Sequence, residues 1–407
     1  MLIRGAHAYT PGKDLGVVDV VVEEGGENSS KRRIVELSNQ TSQTSQTSQT
    51  LDATGLTLLP GFVDIHSHGR GGADFCDATD EAFDTIGRGK LEDGVTSFLA
   101  TGLTRPEENL AELCRCVERY KNSSNRRIVE SSNQTSQGAT CLGVHLEGPF
   151  FNAKMAGAQN PAYLKEPDAD EVLRLHAISP ILKVSLAPEL PGAEDCIRRL
   201  SAAGIVTSGG HSEADYATFE RARAAGMTHL THFCNAMMPI HHLRPTMVTG
   251  GLLADDVYLE IITDGVHLSD PMIELIARTK GADRLMIITD AMCAAGEPDG
   301  IYSLGGLRVK VEKGKATLAD VPFDPKAVVS NVAGSVALYP QCFKRFVRVT
   351  GLPLQEAVKA SGYNQLRSLG IADRGEIAVG QIADFVLVDA DLDPVMTIVN
   401  GQLAWRK

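Results

Sequence analysis

The sequence predicts an α/β protein: a (β/α)8 TIM-type barrel with a small β-sandwich domain formed by both chain termini. Three observations predict this. In the middle of the chain, eight short apolar or β-branched runs alternate with helix-like stretches, several of which end in glycine. Histidines and carboxylates collect at the ends of those runs. At both ends of the chain, hairpin-like strands replace the alternation. Eight parallel strands that alternate with helices close into a barrel.

The barrel is predicted for residues 60–371, and the small β-domain for residues 1–59 and 372–407. The barrel strands are expected, in chain order, in "GFVDIHSHG", "GVTSFLATG", "TCLGVHLEGP", "LKVSLAPE", "GIVTSGGHS", "HLTHFCNAM", "VYLEIITDGVHL" and "RLMIITDAM". Stretches such as "AEDCIRRLSAAG" and "DYATFERARAAG" are expected to be the helices between them. The terminal strands include "GVVDVVVEEGG" and "GEIAVGQIADFVLVDADL".

Two polar segments, 28–50 and 122–138, are predicted to be low-complexity loop insertions. They contain the nearly identical strings "RRIVELSNQTSQTSQTSQT" and "RRIVESSNQTSQ". Tracts of Ser, Thr and Gln bury too little apolar surface to offset the entropy of ordering, so we expect poor order in both segments. A binding or modification tail is the alternative interpretation.

Composition limits the partners of this chain. A formal net charge of -12 argues against nucleic acid, whose binding depends on basic patches. No run approaches the roughly 20 apolar residues of a membrane span, and the first residues lack a signal-peptide pattern. The eight cysteines form no C-x-x-C pair, which favours reduced thiols. We therefore expect a cytoplasmic protein without nucleic acid or membrane partners.

A metal site is predicted where the barrel strands end. His66 and His68 are two residues apart on one predicted strand, so both side chains enter the barrel mouth. The other candidates at strand ends are Glu147, His211, His232, His267 and Asp290. That face is where barrels of this type build their active sites. Several histidines with carboxylates and no cysteine ligands suit Zn²⁺ or Fe²⁺.

The order of the motifs is similar to that of the amidohydrolase superfamily. "PGFVDIHSHG", "HLEGPF", "GGH", "THFCNAM", "TDGVHL" and "TDAM" carry this resemblance, and "HLEGPF" and "THFCNAM" are the most specific. Within the superfamily the chain resembles the N-acetylglucosamine-6-phosphate deacetylases, over nearly all of its length apart from the two insertions. The resemblance implies metal-dependent hydrolysis of the N-acetyl group to glucosamine 6-phosphate and acetate, in amino-sugar catabolism.

The resemblance also implies a role for each site residue. One or two divalent metals per subunit, most simply Zn²⁺, would be held by His66, His68, Glu147, His211, His232 and Asp290. Glu147 would bridge the principal metal of His211 and His232 to a second metal of His66 and His68. Asp290 would be the catalytic base and then acid, while His267 would polarise the acetyl carbonyl. The substrate would be held by Gln159, Asn235, Ala236, His242, Arg244 and His267, in a homodimer.

One departure from the family pattern concerns the phosphate. After "NAM", many relatives carry an Arg, and the resemblance implies that this Arg binds the substrate phosphate from the neighbouring subunit. This chain has Leu243 at that position with Arg244 next to it. The planar guanidinium matters because it binds phosphate through two hydrogen bonds. Arg244 either substitutes for that Arg, or the substrate is another N-acetylated amino sugar, such as N-acetylgalactosamine 6-phosphate or a non-phosphorylated sugar. A non-catalytic scaffold barrel is a further alternative.

Overall fold

The computed structural model describes residues 1–24, 31–39, 49–130, 138–322 and 331–407, with the backbone alone over 124–130. Its strands, in chain order, are β1 (Leu2–Thr10), β2 (Lys13–Glu24), β3 (Arg32–Ser38), β4 (Thr50–Asp52), β5 (Thr57–Pro60), β6 (Phe62–Asp64), β7 (Gly69–Arg70), β8 (Ala73–Asp74), β9 (Val95–Gly102), β10 (Thr140–Glu147), β11 (Ile181–Leu186), β12 (Val206–Gly209), β13 (His229–Leu230), β14 (Tyr258–Ile261), β15 (Leu285–Ile287), β16 (Gly300–Leu304), β17 (Leu307–Glu312), β18 (Lys315–Leu318), β19 (Phe385–Val388), β20 (Pro394–Val399) and β21 (Gln402–Arg406).

The described helices complete the α/β alternation. They are α1 (Asp80–Glu92), α2 (Glu107–Glu130), α3 (Ala169–His176), α4 (Ala193–Ala202), α5 (Tyr216–Ala225), α6 (Met247–Leu253), α7 (Asp270–Lys280), α8 (Tyr339–Thr350), α9 (Leu354–Ala357) and α10 (Tyr363–Ser368). Short 3-10 turns lie at Phe75–Asp77, Ala153–Met155, Pro161–Tyr163, Ala282–Arg284 and Val358–Ser361. None of these helices combines the length and the apolar character that crossing a membrane requires.

The central sheet is the predicted barrel. Eight strands run in the order β6-β9-β10-β11-β12-β13-β14-β15, with parallel pairing between neighbours. The described ladder contains no pairing between β15 and β6 themselves, but the Asp290 amide that follows β15 donates to the His66 carbonyl beyond β6 at 2.9 Å. Each of the eight predicted runs contains one of these strands, which confirms the barrel fold.

Most of the apolar core lies between the barrel strands and the surrounding helices. Phe62, Phe98 and Phe343 are fully buried in it, and the Tyr339 hydroxyl donates to backbone carbonyls such as that of Ile287 at 3.1 Å. Part of the barrel interior is polar, because fully buried charged and hydroxyl side chains lie below the strand ends. Buried polar groups need partners, so this interior depends on specific hydrogen bonds.

The chain termini build the small β-domain together, as predicted. Its strands hydrogen-bond as one continuous sheet in the order β21-β20-β19-β5-β1-β2-β3, with β4 paired to β1. Ile3, Val20 and Leu58 from the start of the chain pack with Phe385 and Ile398 from its end. The domain therefore needs both termini.

A second small sheet separates the last barrel strand from its helix. Strands β16, β17 and β18 form an antiparallel meander between β15 and α8. Leu304, Val309 and Ala316 pack there against Leu103 and Met292, in a small apolar cluster of their own. This excursion from the barrel brings a separate wall to the barrel mouth.

The two predicted insertions lie only partly within the described residues. In the first, Arg32–Ser38 is not a loop but strand β3, which pairs antiparallel with β2. The strand forms because Ile34 is apolar and buried against the terminal core, and the Arg33 guanidinium donates to the Gly380 carbonyl at 2.6 Å. In the second, α2 continues to Glu130. Residues 28–30, 40–48 and 131–137 of the two predicted insertions lie outside the described residues.

A buried ion pair below the barrel mouth generates a stability prediction. Lys90 of α1 donates to the Asp64 carboxylate at 2.5 Å, and the two side chains are 2% and 0% exposed. Asp64→Asn leaves the Lys90 ammonium buried without a counter-charge, which we expect to lower the free energy of unfolding by about 3–5 kcal/mol. Urea titration followed by circular dichroism measures this. The double variant Asp64→Asn/Lys90→Met is the control and should recover most of the loss; a single variant as stable as the parent would refute the assignment.

Candidate active site

The predicted metal ligands converge at the carboxyl ends of the barrel strands. His66 and His68 follow β6, Glu147 ends β10, His211 follows β12, His232 follows β13 and Asp290 follows β15. All six residues are buried, with at most 8% of their surface exposed. Because carboxyl ends of parallel strands meet at one face of a barrel, side chains that are far apart in the sequence come together here.

The Glu147 carboxylate is the centre of the cluster. Its Oε1 atom lies 3.3 Å from Nε2 of His66, 3.4 Å from Nε2 of His211 and 3.2 Å from Nε2 of His232. Its Oε2 atom lies 3.1 Å from Nε2 of His68. One carboxylate thus faces four imidazole nitrogens at hydrogen-bonding distance or slightly beyond.

The ligand atoms divide into two groups that share Glu147. The first group is Glu147, His211 and His232, and the second group is His66, His68, Glu147 and Asp290; within each, the candidate atoms lie no more than 4.8 Å apart. Such spacing fits two neighbouring cation positions bridged by one carboxylate. This is the division that the family resemblance implies.

Hydrogen bonds on the far side of the rings support a metal site. Nδ1 of His211 lies 2.8 Å from the Met155 carbonyl, and Nδ1 of His66 lies 3.0 Å from the Glu260 carboxylate. Both partners only accept, so each Nδ1 carries the proton and a neutral ring leaves Nε2 with a free lone pair. Nε2 of His66 is buried and has no hydrogen-bond partner among the described residues. A divalent cation would satisfy these lone pairs, so the donor set fits such an ion.

The charges within the cluster also favour a bound cation. Burial disfavours charge on the His66 ring, but the Glu147 and Asp290 carboxylates outweigh burial and raise the pKa of His66 to about 9. For Glu147 burial also opposes charge, and the neighbouring His66 holds the pKa of that carboxyl well below its usual range. The cluster therefore attracts positive charge, which protons or a metal ion can supply.

Several of these residues have left-handed backbone conformations. The φ angle is +47° at His211, +31° at His232, +49° at Ala236 and +49° at Asp290. This region costs a non-glycine residue about 1–2 kcal/mol, and residues held in it cluster at functional sites. Here it turns the chain sharply at the strand end, so that the side chain points over the barrel mouth.

A cavity of about 520 Å³ of empty space, partly continuous with solvent, opens above the cluster. Its lining includes four of the predicted substrate-binding residues, Gln159, Asn235, Ala236 and His267. The other two, His242 and Arg244, are not among its lining residues and lie on the exposed segment that precedes α6. Leu243 between them is 76% exposed. The structure thus gathers four of the six predicted contacts around one cavity.

Comparison with known proteins agrees with this geometry. Residues 57–404 match the model of the Amidohydrolase family. The chain is 35% identical over 355 residues to the N-acetylglucosamine-6-phosphate deacetylase of Lysinibacillus sphaericus, with 87% of each chain covered.

Among solved structures, the N-acetylglucosamine-6-phosphate deacetylase of Thermotoga maritima is 34% identical over the whole of both chains, with a TM-score of 0.85. A variant of the Mycobacterium smegmatis enzyme, in complex with N-acetyl-D-glucosamine-6-phosphate, is 31% identical over 99% of each chain, with the same TM-score.

The chain belongs to the amidohydrolase family. Within it, the relatives named above place the chain among the N-acetylglucosamine-6-phosphate deacetylases. The family membership predicted from the motifs is therefore confirmed.

Gln159 of this amidohydrolase directly contacts Glu147, the central residue of the cluster of candidate metal ligands. Its amide donates to Glu147 Oε2 at 2.6 Å, and its own oxygen accepts from the Thr104 amide at 2.9 Å. The sequence suggested a place near the sugar. Gln159 lines the cavity and also orients the carboxylate at the centre of the cluster.

His267 is held by a buried carboxylate. Its Nδ1 atom donates to Asp264 at 2.8 Å, and the same carboxylate accepts from the His267 amide at 2.9 Å. Burial opposes charge on the ring, but the Asp264 hydrogen bond and charge raise the pKa of His267 above its usual value. A ring protonated on both nitrogens can donate a hydrogen bond to a substrate oxygen.

Two buried charged side chains beneath the cluster escaped the sequence prediction. Glu260 contacts His66, and Lys183 pairs with Glu260, at the centre of the barrel. The sequence does contain a signal for these two residues, because each is a charged residue inside an apolar run. Glu260 lies in "VYLEIITDGVHL" and Lys183 lies in "LKVSLAPE". The contact between them joins strands separated by more than 70 residues, which local patterns do not reveal.

The His267–Asp264 pair generates a pH prediction for the metal-free amidohydrolase. A histidine whose pKa is raised on folding contributes stability that is complete below its unfolded pKa, about 6.5, and is lost as pH rises through the folded value. Asp264→Asn should therefore lower the free energy of unfolding by about 1.5–3 kcal/mol at pH 6, with a smaller difference at pH 9. Urea unfolding at both pH values, with chelator present, measures this. A difference that grows toward pH 9 would contradict the pairing.

Proposed function

We propose that this amidohydrolase removes the N-acetyl group of N-acetylglucosamine 6-phosphate by metal-dependent hydrolysis, giving glucosamine 6-phosphate and acetate. The observation that carries the proposal is the Glu147-centred cluster at the base of a cavity that is also lined by Gln159, Asn235 and His267. Relatives that share the whole fold are deacetylases of this substrate, and one of them binds it.

The residues of the cluster would hold a divalent metal. We assign the principal position to Glu147, His211 and His232, and a second position to His66, His68 and Asp290 with Glu147 shared. Zn²⁺ is the simplest occupant of a nitrogen and oxygen donor set of this kind, with Fe²⁺ as the alternative. When bound, such a metal provides a hydroxide nucleophile at neutral pH and polarises a carbonyl oxygen.

Asp290 and His267 would perform the proton transfer and the polarisation. Both line the cavity. The Asp290 carboxylate accepts the proton of the attacking water and returns it to the nitrogen of the leaving amine; such general acid–base catalysis contributes about 10²–10⁴ in rate. The protonated His267 ring, oriented by Asp264, donates to the acetyl oxygen as negative charge develops on it.

The sugar and its phosphate would meet Gln159, Asn235 and the backbone at Ala236. No lysine or arginine occurs among the described residues that line the cavity. A phosphate therefore needs a cation from outside this lining, and Arg244 on the exposed neighbouring segment is our candidate. In a homodimer, Arg244 of one subunit would reach the cavity of the other subunit, and His242 would contact the substrate there as well. The eight free thiols favour a cytoplasmic enzyme.

A second candidate function follows from the same observation. Because the described lining has no cation and Leu243 replaces the Arg of many relatives, the substrate could be another N-acetylated amino sugar. N-acetylgalactosamine 6-phosphate and non-phosphorylated N-acetylglucosamine are the substrates to compare.

Acetate release from N-acetylglucosamine 6-phosphate tests the reaction. We expect rapid release that chelation abolishes and Zn²⁺ restores. Asp290→Asn should lower kcat by at least about 10³-fold, since it removes the base, while one metal remains bound per chain by elemental analysis. If metal-loaded enzyme releases no acetate from any of the three N-acetyl sugars, the proposed function is wrong; an unchanged kcat in the variant would remove Asp290 from its role.

Arg244→Ala tests phosphate recognition. We expect kcat/KM for N-acetylglucosamine 6-phosphate to fall about 10–100-fold, while kcat/KM for N-acetylglucosamine stays constant, because only the first substrate carries the group that the guanidinium binds. Arg198→Ala, on the outer face of α4 with 61% of its side chain exposed, is the matched control. Equal losses for both substrates would show that Arg244 does not read the phosphate.

A further inference from the structure

A fully buried ion pair lies directly beneath the candidate metal site. Lys183 of β11 and Glu260 of β14 belong to strands separated by two others in the barrel sheet, and their side chains meet in the barrel interior. Both side chains are 0% exposed. Glu260 Oε1 accepts from the Lys183 ammonium, and Glu260 Oε2 accepts from His66 Nδ1 at 3.0 Å.

Stability does not explain this pair. Removing two charges from water is costly, and replacing a buried ion pair by apolar side chains of similar volume is often neutral or stabilising. The interior of a barrel is normally filled by layers of branched apolar side chains. A charged pair in that position calls for a function that apolar residues cannot perform.

The contact between Glu260 and His66 indicates such a function. The Glu260 carboxylate fixes the proton on Nδ1, and it therefore aims the Nε2 lone pair at Glu147, 3.3 Å away. A carboxylate behind a ligating histidine also makes the ring a stronger donor. Lys183 compensates the charge, so that Glu260 does this without adding a net negative charge below the site. The edge of the His145 ring, whose centroid lies 4.6 Å from that of His66, completes the support.

The two halves of the cluster are supported differently. His211 of the first group rests on the neutral carbonyl of Met155 at 2.8 Å, in a loop at the barrel mouth. His66 of the second group rests on the Glu260–Lys183 pair, which is fully buried in the barrel interior. The ion pair contacts neither His211 nor His232 in the structure described.

We propose that the Glu260–Lys183 pair is a positioning device for the second metal position, which makes the cluster able to hold two metals where the first group alone would hold one. The inference rests on the proposed metal-dependent function and names the residues that set its metal number. Glu260 and Lys183 act through His66 and need not touch the substrate.

Zn²⁺ binding to metal-free full-length protein tests the proposal. We expect wild type to take up two Zn²⁺ per chain, measured by elemental analysis and by titration against a competing chelator. In Lys183→Met/Glu260→Leu, which removes the pair and the acceptor for His66 together, the second affinity should fall about 10–100-fold, with the first affinity unchanged. Lys183→Met/Glu260→Gln keeps a neutral acceptor at the same position, so its second affinity should lie between the two.

Controls separate positioning from general damage. Arg374→Met/Asp384→Leu removes another buried pair, joined at 2.9 Å away from the cluster, and should leave both affinities unchanged. If the Leu double variant does not fold, the Gln double variant carries the test. A wild type that binds a single Zn²⁺, an unchanged second affinity in the folded variants, or equal losses at both positions would overturn the proposal.

Failure of the proposed function has a different signature. Two Zn²⁺ bound in the expected order, with a selective loss of the second in the variants, supports the positioning role even if wild type releases no acetate from N-acetylglucosamine 6-phosphate. Acetate release therefore reports on the substrate, and the Zn²⁺ titration reports on the ion pair.

Discussion

The active-site half of the barrel depends on one buried carboxylate. Glu147 sits at the end of the third barrel strand, and its two oxygens face Nε2 atoms from the first, fifth and sixth strands within 3.1–3.4 Å. A carboxylate at this depth is tolerable only where positive charge surrounds it. Strand register, barrel closure and the left-handed turns at the strand ends all serve to bring that charge to one point.

The loop after β10 links the carboxylate to the rest of the mouth. It provides the Met155 carbonyl behind His211 and the Gln159 amide that bonds Glu147, and it also lines the cavity. Asn152 anchors it to Glu189 at 2.9 Å, and Glu189 in turn accepts from the Ser212 hydroxyl at 2.6 Å. The segment that lines the cavity thus also holds two of the candidate metal ligands through hydrogen bonds, so a shift of this segment would change the cavity wall and the ligand cluster together.

Much of this architecture could be predicted from local patterns. Alternating apolar runs and helix signals located all eight barrel strands, and two histidines two residues apart on a strand necessarily share a face. The patterns could not show the pairing of Lys183 with Glu260, because that contact depends on how distant strands face each other inside the barrel. The strand at Arg32–Ser38 was missed for a related reason: among its residues Ile34 alone is buried, and the strand depends on pairing with β2, which local composition does not show. His242 and Arg244 lie in an exposed segment whose position relative to the cavity no periodicity specifies.

The shared construction of the small β-domain has a consequence for biosynthesis. Strand β5 lies between β1 and β19, so one edge of it stays without a partner until residues about 330 positions further along the chain are made. At roughly 5–20 residues per second, a ribosome needs on the order of tens of seconds for that stretch. During this interval Leu58, buried in the finished sheet, and the hydrogen-bonding groups along one edge of β5 stay uncovered. The sheet therefore closes only after β19 has been made, and the open edge of β5 has to be protected from pairing with other chains until then.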